Sequence, residues 1–398
     1  MNPEDFLNPV VRDLPPSGIR RFFDLAANTR GVISLGVGEP DFVTPWFIRE
    51  ACFQALEQGY TMYSSNWGLP ELRQEIAAYL ERRYGLNYDP GEEMLVTVGA
   101  SEAVDLALRA VLRPEDEVLV PEPNYVSYKP CSVLAGGRPV AVPTRAVRQF
   151  KLTVDDLQPH LSPSSRVLIL SYPNNPTGAV MRREDLIPLA RLAERRNLLV
   201  ISDEIYAELT YEGTHTSIAS LPGMRERTVL IGGFSKAFAM TGWRIGFACG
   251  PAPVIRGMVK IHQYTMLCAP IMSQKAAVEA LRRGREAVER MVREYDLRRR
   301  LVIHTLRQIG LECFEPQGAF YAFPSFRGLV DWTAEEFCTR LLEEERVAIV
   351  PGTAFGESGE GHFRLSYAAS TATLMEALRR LGSFCARHRQ RLWQAGLG

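Results

Sequence analysis

The chain has no surplus of charge. Its 46 Lys and Arg are matched by 46 Asp and Glu, so it lacks the basic excess of a nucleic-acid surface. The nearest basic stretch, Arg282–Arg300, mixes Arg with Glu286, Glu289 and Glu294. Val288, Met291, Val292 and Tyr295 recur there at helical spacing, which reads as one buried stripe beneath a solvated charged face. No Cys-x-x-Cys pair occurs among Cys52, Cys131, Cys249, Cys268, Cys313, Cys338 and Cys385. An odd, scattered set argues for a reducing compartment and against a zinc site. The six His residues form no His-x-x-x-His or Glu-flanked cluster, so no metal is expected. No apolar run approaches the roughly 20 residues of a spanning helix. Met1–Val10 is acidic and has no apolar core, so neither a signal peptide nor a membrane partner is expected. The expected location is cytoplasmic.

What is present is an alternation of helix and strand patterns. Thr44-Pro45 reads as a helix N-cap followed by Pro at the first helical position, with Gly59 as the stop. Leu72, Ile76, Tyr79 and Leu80 give a second amphipathic helix closing near Gly85. Short apolar runs follow at Met94–Val98, Glu117–Pro121, Arg166–Ser171, Leu198–Asp203, Thr228–Gly232 and Ile245–Gly250. Most are separated by helix-length stretches, which predicts an α/β fold: a mainly parallel sheet flanked by helices. Beyond Pro270 a long helical stretch is expected from Ser273 to Gln308. Strand-like pieces then appear at Cys313–Phe314, Tyr321–Phe323, Ala348–Pro351 and His362–Tyr367. These suggest a smaller α+β domain. The expected division is an N-terminal arm (residues 1–45) joining the small domain, a large domain (46–280) and the small C-terminal domain (281–398).

Five places carry chemistry. Gly99-Ala100-Ser101-Glu102 follows a strand and opens a helix, so its free N–H groups and the Ser101 hydroxyl can hold a phosphate; tight packing explains such a turn equally simply. Asp203 stands at the end of an apolar strand, where ligands of open α/β sheets bind; the plainer alternative is a helix cap. Lys236 lies among small and apolar residues from Gly232 to Gly242, where desolvation lowers its pKa and permits a Schiff base. Arg244, eight residues on, suits a phosphate dianion. A snorkelling surface lysine is the competing reading. Tyr172-Pro-Asn-Asn175-Pro-Thr-Gly178 is rich in turn formers and need be no more than a turn. Arg364, in His362-Phe-Arg-Leu-Ser-Tyr367, offers a fork for a carboxylate or a partner for a salt bridge.

Together Asn175-Pro-Thr-Gly178, Asp203-x-x-Tyr206, Ser235-Lys236 with Arg244, and Phe363-Arg364-Leu-Ser366 resemble the class I/II aminotransferases of pyridoxal-phosphate (PLP) fold type I, the aspartate aminotransferase-like group. The resemblance runs from Ser17-Gly-Ile-Arg20 through Gly36-Val-Gly38-Glu-Pro-Asp41 to Arg364. It implies that Lys236 carries the PLP and shuttles the substrate proton. Asp203 would face the pyridine nitrogen and keep it protonated, which makes the ring an electron sink. Tyr206 and Asn175 would bond the ring's 3′-oxygen, and Tyr125 would stack on the ring. Ala100, Ser101, Ser235 and Arg244 would form the phosphate cup. Gly38, Asn175 and Arg364, with Tyr125 beside them, would receive the substrate and clamp its α-carboxylate. Tyr63 resembles the tyrosine that reaches the phosphate of the neighbouring subunit, implying a homodimer with shared sites.

The partners so implied are an L-amino acid and a 2-oxo acid, 2-oxoglutarate foremost, in a ping-pong transfer. Ser101 stands where one bacterial subgroup of aspartate aminotransferases has a Lys that binds the distal carboxylate, and it cannot do that. Ile261-His-Gln-Tyr264 and Ser17-Gly-Ile-Arg20 are most similar to bacterial members acting on aromatic amino acids, aspartate or acylated diaminopimelate. Two alternatives share the scaffold: a PLP-dependent lyase catalysing β-elimination, and a non-enzymatic aminotransferase-like sensor domain. The sensor type carries a winged-helix domain ahead of the fold, whereas here Gly36-Val-Gly38 begins almost at once.

Overall fold

The computed structural model describes residues 2–16, 18–19 and 30–395; Ser17 and Arg20 of the N-terminal motif lie outside the described residues. In chain order the strands are β1 Ile33–Ser34, β2 Met94–Thr97, β3 Glu117–Glu122, β4 Arg138–Pro143, β5 Ser165–Ser171 and β6 Leu199–Asp203. They continue with β7 Thr228–Gly233, β8 Gly246–Cys249, β9 Tyr321–Ala322, β10 Val347–Ala348, β11 Val350–Pro351 and β12 Phe363–Ser366. Seven of them form one sheet in the order β2-β8-β7-β6-β5-β3-β4. The pairings from β7 through β4 are parallel, and β8 runs antiparallel to both its neighbours. β2 and β7 therefore point the same way. The carboxyl ends of β2, β3, β5, β6 and β7 gather on one edge of the sheet, where open α/β sheets bind ligands.

The apolar strand sequences have a direct physical consequence. Helices cover both faces of the sheet, so β2, β3 and β8 are buried along their whole length. β4 escaped the sequence pattern because Pro139 and Pro143 interrupt it. It is an edge strand with partly exposed residues, where proline is tolerated.

Three local expectations are corrected. Thr44 does not cap the helix Trp46–Glu57, whose N-cap is Pro45 without a side-chain bond. Its hydroxyl instead donates to the Ala239 carbonyl at 2.6 Å and accepts from Trp243 Nε1 at 3.0 Å. The long helical stretch is two helices, Ile271–Arg283 and Arg285–Ile309, broken at Gly284. A Cβ there would lie 2.3 Å from the Ala280 carbonyl and 2.5 Å from the Phe238 ring, so packing requires glycine at the break. Cys313–Phe314 is not a strand; the neighbouring Glu312 makes only an isolated bridge to Ser325.

β11, β12 and β9 form a second, three-stranded antiparallel sheet, while β1 pairs in parallel with β10. The helix Arg285–Ile309 buries Val288, Met291 and Tyr295, the expected stripe. Arg298 and Arg299 depart from the expected solvated face: both are buried in ion pairs. Arg298 Nη1 donates to both Asp41 oxygens at 2.8 Å, which ties the Gly36–Asp41 motif to this helix. Arg299 donates to Asp296 at 2.8 Å and to the Pro316 carbonyl at 2.8 Å.

Candidate active site

A cavity of about 740 Å³ opens at the carboxyl edge of the large sheet. Its lining brings together Gly38, Ala100, Ser101, Tyr125, Asn175, Asp203, Tyr206, Ser235, Lys236, Arg244 and Arg364. These residues are spread over more than three hundred positions of sequence. Tyr63 is not among them: it is 79% exposed on the surface.

β6 delivers Asp203 at its last residue, buried from solvent. Its Oδ1 accepts from the Ile205 N–H at 3.2 Å, and its Oδ2 accepts from the Tyr128 hydroxyl at 2.8 Å. Burial pushes its carboxyl up to about 6, against the pull of those two donors. The adjacent Glu204 is otherwise engaged, accepting from Ser202 at 2.9 Å and Ser217 at 2.6 Å and meeting His215 at 2.7 Å. Of the two carboxylates, Asp203 is the one that lines the cavity.

Lys236 follows β7 in a tight turn. Its Nζ donates to the Gly38 carbonyl at 2.7 Å and lies 5.9 Å from the centre of the Tyr206 ring. Burial pulls its pKa down to about 8, and the nearby Arg364 and Arg244 charges pull the same way while Glu39 opposes. Gly38 can be nothing larger, since a Cβ would stand 2.5 Å from the Tyr321 hydroxyl.

The two guanidinium groups that line the cavity, those of Arg364 and Arg244, have no carboxylate partner among the described residues. Arg364 on β12 is 2% exposed. It donates to Asn175 Oδ1 at 2.8 Å and to the Gly36 carbonyl at 2.5 Å, and its Nε has no partner. It lies 4.4 Å from the Tyr321 ring centre and 4.8 Å from that of Phe355. A buried cation held only by neutral groups is costly until an anion joins it. Arg244 donates to the Thr241 carbonyl at 3.0 Å and packs against Gly99, where a Cβ would lie 2.7 Å from its Nη2. Gly99 has a φ of 84° and precedes the helix Ala100–Val111, which has no side-chain cap bond, so its first N–H groups remain available. The site thus offers two separate anion seats, a lysine with a lowered pKa and a buried carboxylate.

Sequence reasoning missed Tyr128 and Tyr321. Tyr128 opens a short helix just after Tyr125, whose carbonyl accepts its N–H at 3.3 Å, and the two rings stand edge to face with centres 5.6 Å apart. The Tyr321 hydroxyl meets that of Tyr206 at 2.8 Å, and burial raises the pKa of both, so the pair stays protonated. No pattern near Phe320-Tyr321 announces this; only the second sheet brings it to the cavity.

The family model described as aminotransferase class I and II matches residues 30–381. The chain belongs to this family. Its members use PLP, and the protein is accordingly an aminotransferase, an enzyme, with the α/β architecture of PLP fold type I. It is 47% identical to the aspartate aminotransferase of Pyrococcus abyssi over 92% of this chain and 95% of that one. It is 45% identical to aromatic-amino-acid aminotransferase 2 of Thermococcus litoralis, with the same shares covered. Among solved structures, the aspartate aminotransferase of Thermus thermophilus with maleate superposes with a TM-score of 0.91. It is 39% identical, over 95% of this chain and 99% of that one. No helix among the described residues is long and apolar enough to cross a membrane.

Proposed function

We propose that this aminotransferase binds PLP at Lys236 and moves the amino group of an L-amino acid to 2-oxoglutarate by a ping-pong mechanism. The donor is aromatic, aspartate-like or diaminopimelate-like, and the setting is cytoplasmic amino-acid metabolism. The observation that carries the reading is the pair of carboxylate-free guanidiniums flanking Lys236 and Asp203. It matches a cofactor with a phosphate and a substrate with a carboxylate.

The residues fit the cofactor. Ala100, Ser101, Ser235 and Arg244 would hold the phosphate, Asp203 the ring nitrogen, Asn175 and Tyr206 the 3′-oxygen, and Tyr125 the ring face. When bound, PLP supplies the electron-withdrawing ring that eases proton loss from the amino acid's Cα. Lys236, lowered to about 8, is neutral often enough near neutral pH to take that proton and return it. Arg364 and Asn175, with Gly38, would fix the α-carboxylate, so that the Cα proton faces the lysine. Tyr206 remains a donor because burial keeps its hydroxyl protonated.

A donor panel tests the reading. Given an amino acid alone, the enzyme is expected to convert its cofactor to the pyridoxamine form, and 2-oxoglutarate should reverse this. Release of ammonia without an acceptor would point to a lyase instead. Replacing Arg364 with Leu is expected to lower kcat/KM for every donor ~100-fold or more, since each charge-assisted hydrogen bond contributes about 1.5–3 kcal/mol. Unchanged kcat/KM would remove the carboxylate role.

The domains are read as an arm (1–45) joining a small domain (281–398), and a large domain (46–280). The β1–β10 pairing and the helix break at Gly284 support that division. A homodimer with shared sites is proposed from Tyr63. It sits beside exposed Met62 (61%), and Asn66 Nδ2 ties this loop to the Leu267 carbonyl at 2.7 Å, near exposed Tyr264 (86%). A second copy would cover that patch and receive Tyr63 at its phosphate. Mixing Lys236→Ala with Tyr63→Ala creates a heterodimer in which one site has its own Lys236 and the partner's normal Tyr63. That site is expected to retain PLP about as the wild type does. Retention no better than in the Tyr63→Ala homodimer would mean the phosphate is held within one chain.

A further inference from the structure

The geometry points to Glu102 and His262 as positioning residues: His262 fixes Glu102, and Glu102 fixes the turn that presents the Ala100 and Ser101 N–H groups. The inference rests on reading that turn as the seat of the cofactor phosphate. His262 lies on the helix Ala252–Thr265 and is wholly buried. Its Nδ1 is 2.7 Å from Glu102 Oε1, and its Nε2 has no partner. Glu102 is therefore the imidazole's one polar contact among the described residues. The other carboxylate oxygen of Glu102 accepts the Val98 N–H at 2.5 Å, reaching back across the turn. The Gly99 carbonyl is also occupied, accepting from Thr97 Oγ1 at 3.0 Å and the Ala103 N–H at 3.4 Å. Val98 N–H and Gly99 C=O are thus satisfied from within the protein, while Ala100 and Ser101 line the cavity and Glu102 does not.

The arrangement resolves an electrostatic conflict. A carboxylate in the first turn suits the helix dipole, but a phosphate at the same N-terminus would be repelled by it. Turning Glu102 away from the cavity onto Val98 and His262 removes the carboxylate from the anion seat. It leaves the first N–H groups and Arg244 to face the phosphate. Without His262, nothing else among the described residues holds Oε1, and the Val98 N–H on Oε2 is left as the one bond keeping the carboxylate off the seat.

A pair that merely ties two helices together would affect every ligand alike, which decides the test. The full-length protein is prepared as wild type, His262→Leu and His262→Asn; the Asn amide nitrogen can stand near the place of Nδ1. Affinities for PLP and for phosphate-free pyridoxal are measured on the PLP-depleted chain, and the phosphorus NMR line of bound PLP on the loaded enzyme. His262→Leu is expected to weaken PLP ~10-fold, the scale of one lost hydrogen bond to a charged group, and to move the phosphorus line. Pyridoxal binding should stay within about twofold, and His262→Asn should regain most of the PLP affinity. Equal weakening of both ligands, or an unmoved line with unchanged affinity, would overturn the proposal. Should His262→Leu fail to fold, Glu102→Ala cuts the same link from its other end and is read by the same criteria. Arg244→Ala separates the two levels. If it too shows no phosphate-selective loss, the phosphate seat itself is misplaced. If it does and His262→Leu does not, only the positioning role falls.

Discussion

Turnover of a Lys236→Ala variant is expected to fall ~10⁴-fold or more, the upper range for removing a positioned acid–base group. The reason is the surroundings of the side chain. Burial brings Lys236 from 10.5 to about 8. At pH 7 about one amine in ten is then neutral, a fraction ~300-fold larger than for an ordinary lysine. The sign follows directly. The neutral amine is the reactive form, so covalent uptake of PLP by the PLP-depleted protein should rise about tenfold per pH unit below 8 and level off above it. Growth of visible absorbance measures this, and a profile still climbing at pH 10 would mean the lysine is not desolvated. Borohydride reduction of the loaded wild type, followed by peptide mapping, should label Lys236. A label on Lys260 or Lys275 would transfer the role elsewhere. PLP held through its phosphate should still be retained by Lys236→Ala, which separates lost chemistry from lost folding.

Much of the candidate site is legible in the sequence because its parts sit at strand ends, on short local motifs. Asp203 closes β6, Ser235-Lys236 follows β7, and Ala100-Ser101 follows β2. Each is a local pattern, and the sheet gathers them onto one edge. Tyr321 and Tyr128 were not readable in the same way. Their work is contact with Tyr206 and Asp203, 115 and 75 residues away, and neither leaves a mark in its own neighbourhood. The second sheet was partly legible: its strands are two to four residues long, too short for alternation to separate Cys313–Phe314 from a real strand. Arg298 shows the same limit from the other side. Its helical stripe placed it on a charged face, yet it is buried with Nη1 bonded to both Asp41 oxygens, and periodicity contains no information about a partner 257 residues away. Thr44 looked like a cap because Thr-Pro precedes a helix. Tertiary bonds to Ala239 and Trp243 use its hydroxyl instead.

Asp203→Asn is expected to keep PLP bound but slow the half-reaction by about three orders of magnitude or more, roughly 4 kcal/mol of lost transition-state stabilisation. The competing account of this carboxylate, a cap on the turn that follows β6, covers one oxygen: Oδ1 accepts the Ile205 N–H at 3.2 Å. It leaves Oδ2 unexplained, which accepts from Tyr128, another residue that lines the cavity. Burial, with a smaller push from the Glu204 charge, drives Asp203 up to about 6, so in the PLP-free chain it becomes protonated, and neutral, as pH falls through 6. A protonated ring nitrogen beside it acts in the opposite direction, favouring the charged carboxylate and drawing that value down. The acid limb of the loaded enzyme should therefore lie below the value for the PLP-free chain. Asn fills the same space and still accepts from a backbone N–H, so it removes the charge with little else. Tyr128→Phe removes one hydrogen bond and leaves the charge, and should cost only about tenfold. The order of the two variants is the argument. If Asp203→Asn costs no more than Tyr128→Phe, the carboxylate serves the turn. A loss far larger in Asp203→Asn, with PLP retention unchanged, means its negative charge holds the proton on the ring.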